Sequence, residues 1–119
     1  MIKYDFFNKI VLVTASSQGI GYGVAKGFYK AGAKVVICSR TNSNLQKSAK
    51  VLSGDDPSRL LAISGDISKL NFLKSLVSDV EQYYKGSIDI LVNNSGGPPP
   101  KESTSITEEE WKKAIDSNL

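Results

Sequence analysis

The chain has 119 residues, with 40% hydrophobic and 23% charged content, which suits one globular domain with its own core. Its net charge of +3 comes from 15 Lys and Arg that are scattered along the chain. That argues against a nucleic-acid footprint and leaves room for a small anionic ligand. There is no histidine and one cysteine, Cys38, so His-based triads, the usual zinc sites and an intrachain disulfide are excluded.

The opening MIKYDFFNKIVLV is interrupted by Lys3, Asp5 and Lys9 and does not have a signal-peptide layout. No run of 18 apolar residues follows, so a cytoplasmic protein without a spanning helix is expected. IVLV at 10–13, VVIC at 35–38, LLAI at 60–63 and IDILV at 88–92 are short, β-branched and almost unbroken. Such runs predict parallel strands covered on both faces. Cys38 falls inside the second and reads as a small core residue.

Helical spacing fills the gaps. Ile20, Val24, Phe28 and Ala31 mark a first helix that Gly32 ends. Leu45, Ser48, Ala49 and Leu52 mark a second, followed by Gly54 and Pro57. Leu73, Leu76, Val77, Val80 and Tyr84 mark a third, with Ser68 as its expected cap. A fourth begins at Thr107, which forms a capping box with Glu110, while Glu108 and Glu109 suit the positive end of the helix dipole. The alternation predicts an α/β fold, a doubly wound parallel sheet of strand order 3-2-1-4 with right-handed crossovers. Nucleotides bind such sheets where the order reverses, at the carboxyl ends of the strands.

The first run leads straight into Thr14-Ala15-Ser16-Ser17-Gln18-Gly19-Ile20-Gly21 and then the first helix. Glycines there allow close backbone approach, and free N–H groups at a helix start attract phosphate, although ordinary turns use glycine too. About 20 residues later, dinucleotide sites meet the adenosine ribose, and an acid there binds the free 2′-hydroxyl of NAD. This chain has Ser39-Arg40 instead, a hydroxyl and a guanidinium that suit a phosphate dianion. On the residues alone, a solvated Arg40 and a helix-entry Asp66 remain the alternatives.

The spelling of that first loop resembles T-G-x-x-x-G-I-G of the short-chain dehydrogenase/reductase family, with Ala15 where the family usually has its first glycine. Asp66-Ile67, Asn93-Asn94-Ser95-Gly96 and the segment from Trp111 to Asn118-Leu119 follow in the family's order, so the resemblance spans nearly the whole chain. The chain resembles the family's 3-oxoacyl-carrier-protein reductase-like branch. The resemblance implies an NADP(H)-binding Rossmann-type domain over 1–119, with cofactor contacts from Ser16, Ser17, Gln18, Gly19, Ile20, Gly21, Ser39 and Arg40. It implies that Asp66 accepts from the adenine amino group, that Ile67 offers its N–H, and that Asn93, Ser95 and Gly96 pack along the adenosine ribose. Ser95 stands where alanine is commoner.

Trp111, Ala114, Ile115 and Asn118 share one helical face. The resemblance makes Asn118 catalytic, holding a water in the proton relay. In the family, Ser, Tyr and Lys complete the site beyond a helix that continues, and strands five to seven follow; none of these is in the 119 residues. Tyr22 and Lys26 spell Y-x-x-x-K, but on the first helix, where a structural or surface role is expected. The expected activity is hydride transfer between NADP(H) and a small carbonyl or alcohol substrate, in an intact enzyme that is a homo-oligomer with no nucleic-acid or membrane partner. The chain itself is expected to be a truncated cofactor-binding part, ending just after the start of the fourth helix and inactive alone. A non-catalytic nucleotide-binding module and an inert remnant that associates with other chains remain open.

Overall fold

The computed structural model describes residues 5–14, 19–54 and 56–93. Four strands form the sheet: β1 Ile10–Val13, β2 Lys34–Ser39, β3 Leu60–Ser64 and β4 Ile90–Val92. All neighbours are parallel and the order is β3-β2-β1-β4, as the sequence predicts. Leu12 stands level with Val36 on one side and Leu91 on the other. Three helices connect the strands: α1 Gly19–Lys30, α2 Asn42–Ser53 and α3 Leu70–Tyr84. Among the described residues no helix is long and apolar enough to cross a membrane.

The unbroken apolar runs are explained by two covered faces. Ile10, Leu12, Val36 and Cys38 pack with Leu73, Leu76, Val77 and Val80 of α3. Val11, Val13, Val35 and Ile37 point the other way, toward Ala25 and Tyr29 of α1 and Leu45 and Leu52 of α2. Cys38 is fully buried, as expected.

Two sequence expectations need correction. The inward residues of α1 are Gly21, Ala25 and Tyr29, and Ile20 is 80% exposed. Small residues let the helix lie close on the sheet, so the contact line runs through Gly21 and Ala25; Val24 and Phe28 only flank it. Ser68 does not cap α3 either. The cap position belongs to Lys69, whose side chain makes no capping bond, and Ser68 instead gives its N–H and hydroxyl to Asp66 Oδ1.

Gly32 does end α1. Its φ of +97° suits glycine, and the Phe7 backbone lies within 3.6 Å of where a Cβ would sit. The amino ends of the strands are tied by long-range polar contacts. Arg59 donates from Nη1 to the carbonyls of Tyr29 and Ala33, both at 2.9 Å, and lies over the Tyr29 ring. The Tyr29 hydroxyl donates in turn to the Ser53 carbonyl at 2.9 Å. Asp89 accepts the Ile10 N–H on its carboxylate and returns its own N–H to the Ile10 carbonyl, both at 2.9 Å.

At the end of α3 the Tyr84 hydroxyl is buried with no hydrogen-bond partner among the described residues. Burial pushes it above the ordinary tyrosine range. An orphaned buried hydroxyl costs about 1–3 kcal/mol, so Tyr84→Phe is expected to raise stability by about 1 kcal/mol in urea unfolding.

Candidate functional site

Parallel strands deliver their exits to one edge. Thr14 leaves β1, Arg40 leaves β2, Gly65 and Asp66 leave β3, and Asn93 leaves β4. The order β3-β2-β1-β4 reverses between β1 and β4, so this edge contains the switch-point crevice.

Thr14 is the one buried polar residue among those described. Its N–H donates to the Val92 carbonyl at 3.1 Å, and its hydroxyl donates to Asn93 Oδ1 at 3.2 Å. These bonds carry the β1–β4 pairing past the ladder and fix the mouth of the crevice. The start of α1 faces the same edge. Gly19 has φ +69°, Gly21 is buried, and Ile20 is exposed beside them.

On the other flank, the Gly65 N–H donates to the Ser39 carbonyl at 2.9 Å and continues the pairing of Ser39 with Ser64. Ser39 turns its hydroxyl to the Thr41 carbonyl at 3.4 Å. Arg40 is exposed. The ion pair found among the described residues is Arg59 with Asp56, so no carboxylate among them pairs with the Arg40 guanidinium. Ile67 is half-buried against the α3-side core.

Asp66 accepts from the Ser68 N–H at 2.9 Å and the Ser68 hydroxyl at 2.6 Å, both on Oδ1, and its carbonyl accepts the Lys69 N–H at 3.0 Å. The Ser68 hydroxyl, then the Ser68 N–H, and more weakly the charges of Arg40 and Lys69, hold its carboxyl below the usual carboxylate range. A folded pKa below the unfolded one favours the folded state at pH above the unfolded value. That contribution is lost as the pH falls through the folded pKa. Ser68→Ala is expected to move Asp66 up toward the ordinary value, read from its carboxyl carbon shift in an NMR titration. An unchanged titration would assign the shift to another cause.

The structure therefore brings Gly19, Ile20, Gly21, Ser39, Arg40, Asp66, Ile67 and Asn93 to one edge. Ser16, Ser17, Gln18, Ser95, Gly96 and Asn118, with Ala15, Trp111 and the helix expected from Thr107, lie outside the described residues. Tyr22 is half-buried against the α1–α2 core and Lys26 is exposed, both on α1. Sequence reasoning missed the Thr14–Asn93 bond; the available signal was a polar residue directly continuing a buried strand.

A family model described as short chain dehydrogenase matches residues 9–119. The chain belongs to the short-chain dehydrogenase family. Among its relatives, 3-oxoacyl-[acyl-carrier-protein] reductase FabG of Chlamydia muridarum is 36% identical over 112 residues, covering 94% of this chain and 45% of that one. NAD-dependent glycerol dehydrogenase of Listeria innocua is 30% identical over 116 residues, covering 98% and 44%. L-sorbose reductase from Gluconobacter frateurii, solved with NADPH and L-sorbose, aligns with a TM-score of 0.76 at 28% identity, over 96% of this chain and 44% of that one. The chain thus spans less than half the length of these relatives. The sheet of this family member is of the Rossmann type, and the edge described above holds its switch point.

Proposed function

We propose that this chain is the cofactor-binding part of an NADP(H)-dependent oxidoreductase that moves a hydride between NADP(H) and a carbonyl or alcohol substrate, of the 3-oxoacyl reductase kind. The observation that carries the cofactor choice is Arg40: exposed, without an ion pair among the described residues, and first after β2 at the edge of strand exits. No acid stands at 39–42 to read a free 2′-hydroxyl or repel a 2′-phosphate. The NADPH in the sorbose reductase crystal supports the same choice.

The chain's own residues would then divide the work. The Arg40 guanidinium binds the 2′-phosphate with charge-assisted bonds, beside the Ser39 hydroxyl oxygen. Asp66, kept ionised by Ser68, accepts from the adenine amino group, and the Ile67 N–H donates to the ring. Gly19, Ile20 and Gly21 bring the N–H groups of α1 toward the pyrophosphate, with Ser16, Ser17 and Gln18 before them. Asn93, fixed by Thr14, lines the adenosine ribose with Ser95 and Gly96. Asn118 orders a water for proton relay. The nicotinamide, when bound, supplies or accepts the hydride. A homo-oligomer and a small-molecule substrate belong to the same proposal.

Calorimetric titration of the chain with NADPH and NADH tests it. Charge-assisted phosphate contacts contribute about 1.5–3 kcal/mol, so NADPH is expected to bind roughly 10- to 100-fold more tightly. Equal affinities would remove the NADP(H) assignment.

A further inference from the structure

Gly65 has no room for a side chain while the Phe72 ring keeps its place. A Cβ there would lie 2.6 Å from Phe72 Cδ1 and nearer still to Cε1 and Cζ. The positive-φ glycines are Gly19, Gly32 and Gly54, so Gly65 has a backbone conformation open to any residue. What requires the glycine is the ring. Phe72, in the first turn of α3, is seated directly against Gly65 and, like Ile63 and Ile67, packs partly buried against the α3-side core.

Gly65 also joins the two halves of the adenosine edge. Its N–H holds the Ser39 carbonyl, one residue before Arg40, and its own carbonyl carbon leads into Asp66. The turn is closed above by Ser68 and Lys69 on Asp66 and tied sideways to β2. On the core side, Phe72 is the support.

We infer that Phe72 is a positioning residue for adenine recognition: its ring, seated on Gly65, sets where the Asp66 carboxylate and the Ile67 N–H stand. This rests on the proposed adenine contacts of Asp66 and Ile67. Hydrogen bonds weaken steeply as donor and acceptor move beyond about 3.2 Å, so a small sag of the turn removes those contacts. Arg40, carried by β2, stays in place.

The test compares NADPH with its reduced hypoxanthine analogue, in which a ring carbonyl replaces the amino group and the neighbouring nitrogen carries a proton. That exchange reverses donor and acceptor opposite Asp66 and Ile67. The wild-type chain is expected to prefer NADPH by about tenfold or more. Phe72→Leu, which keeps most of the apolar volume, and Phe72→Ala are expected to lose that preference to within about twofold while keeping the NADPH-over-NADH gap. A merely structural role would lower affinity for all dinucleotides alike. Gly65→Ala unseats the ring and should match Phe72→Ala, and the double variant should be no worse than either, because both empty the same seat. A Phe72→Leu chain with wild-type circular dichroism and wild-type base preference overturns the inference, as do additive effects in the double variant. A wild-type chain without base preference overturns the Asp66 role and this inference together.

Discussion

Arg40→Ala is expected to collapse the NADPH-over-NADH gap from about 10- to 100-fold to within a few-fold, chiefly by weakening NADPH. A 2′-phosphate needs fixed positive donors, and the guanidinium offers a planar fork already at the exit of β2. Because Arg40 is exposed, its attraction is screened, and the gap should narrow as salt rises. Arg40→Lys keeps the charge without the fork and should retain part of the gap. NADH, which lacks the phosphate, should bind the wild type and both variants alike. Asp66 gives an internal control: its carboxyl is lowered mainly by Ser68, with Arg40 a smaller cause, so it should remain ionised in the Ala variant. If NADH weakens as much as NADPH, Arg40 supports something common to both cofactors and the 2′-phosphate assignment fails.

The shared edge of strand exits was legible in the sequence because it follows from topology. Once four β-branched runs alternate with helices, the strand exits must share one edge, and the residues after each run become the candidates. Residues 10–13, buried throughout, matched β1 at both ends. The fourth strand starts later than IDILV suggests, at Ile90, because Asp89 uses its carboxylate as well as its backbone to pair with Ile10. What could not be read was close approach. Helical spacing weighs bulk, so it chose Ile20 over Gly21 and Ala25, which touch the sheet by being small. Ser68 has the chemistry of a cap and serves Asp66 instead, since a neighbouring carboxylate competes for its hydroxyl. The Arg59 contacts with Tyr29 and Ala33 join residues 30 and 26 positions apart, and the ring of Phe72 on Gly65 joins α3 to the turn after β3; neither leaves a local pattern.

The largest loss of stability is expected from Leu12→Ala. Leu12 is 0% exposed, sits in an inner strand, and is flanked by Val36 of β2 and Leu91 of β4. Its side chain belongs to the cluster that includes Leu73, Leu76, Val77 and Val80 of α3. The sheet on either side and the helix above hold that space open, so the wall cannot close around the missing atoms. Buried Leu→Ala changes of this kind cost about 3–5 kcal/mol. Against a total of about 5–15 kcal/mol for a domain, that is a large share of the margin. The melting temperature should fall by about 10 °C or more. Val51→Ala, on the outer side of α2 at 76% exposure, is the matched control and should change stability by less than about 0.5 kcal/mol. Leu12 lies two residues before Thr14, so loosening β1 should also disturb the bonds from Thr14 to Val92 and Asn93 and weaken every dinucleotide alike. That uniform loss differs from the cofactor-selective loss expected at Arg40 and the base-selective loss expected at Phe72. Urea unfolding of the two variants beside wild type, followed by NADPH and NADH titrations below the transition, measures both parts. A Leu12→Ala chain as stable as Val51→Ala would mean that α3 does not rest on β1 as described.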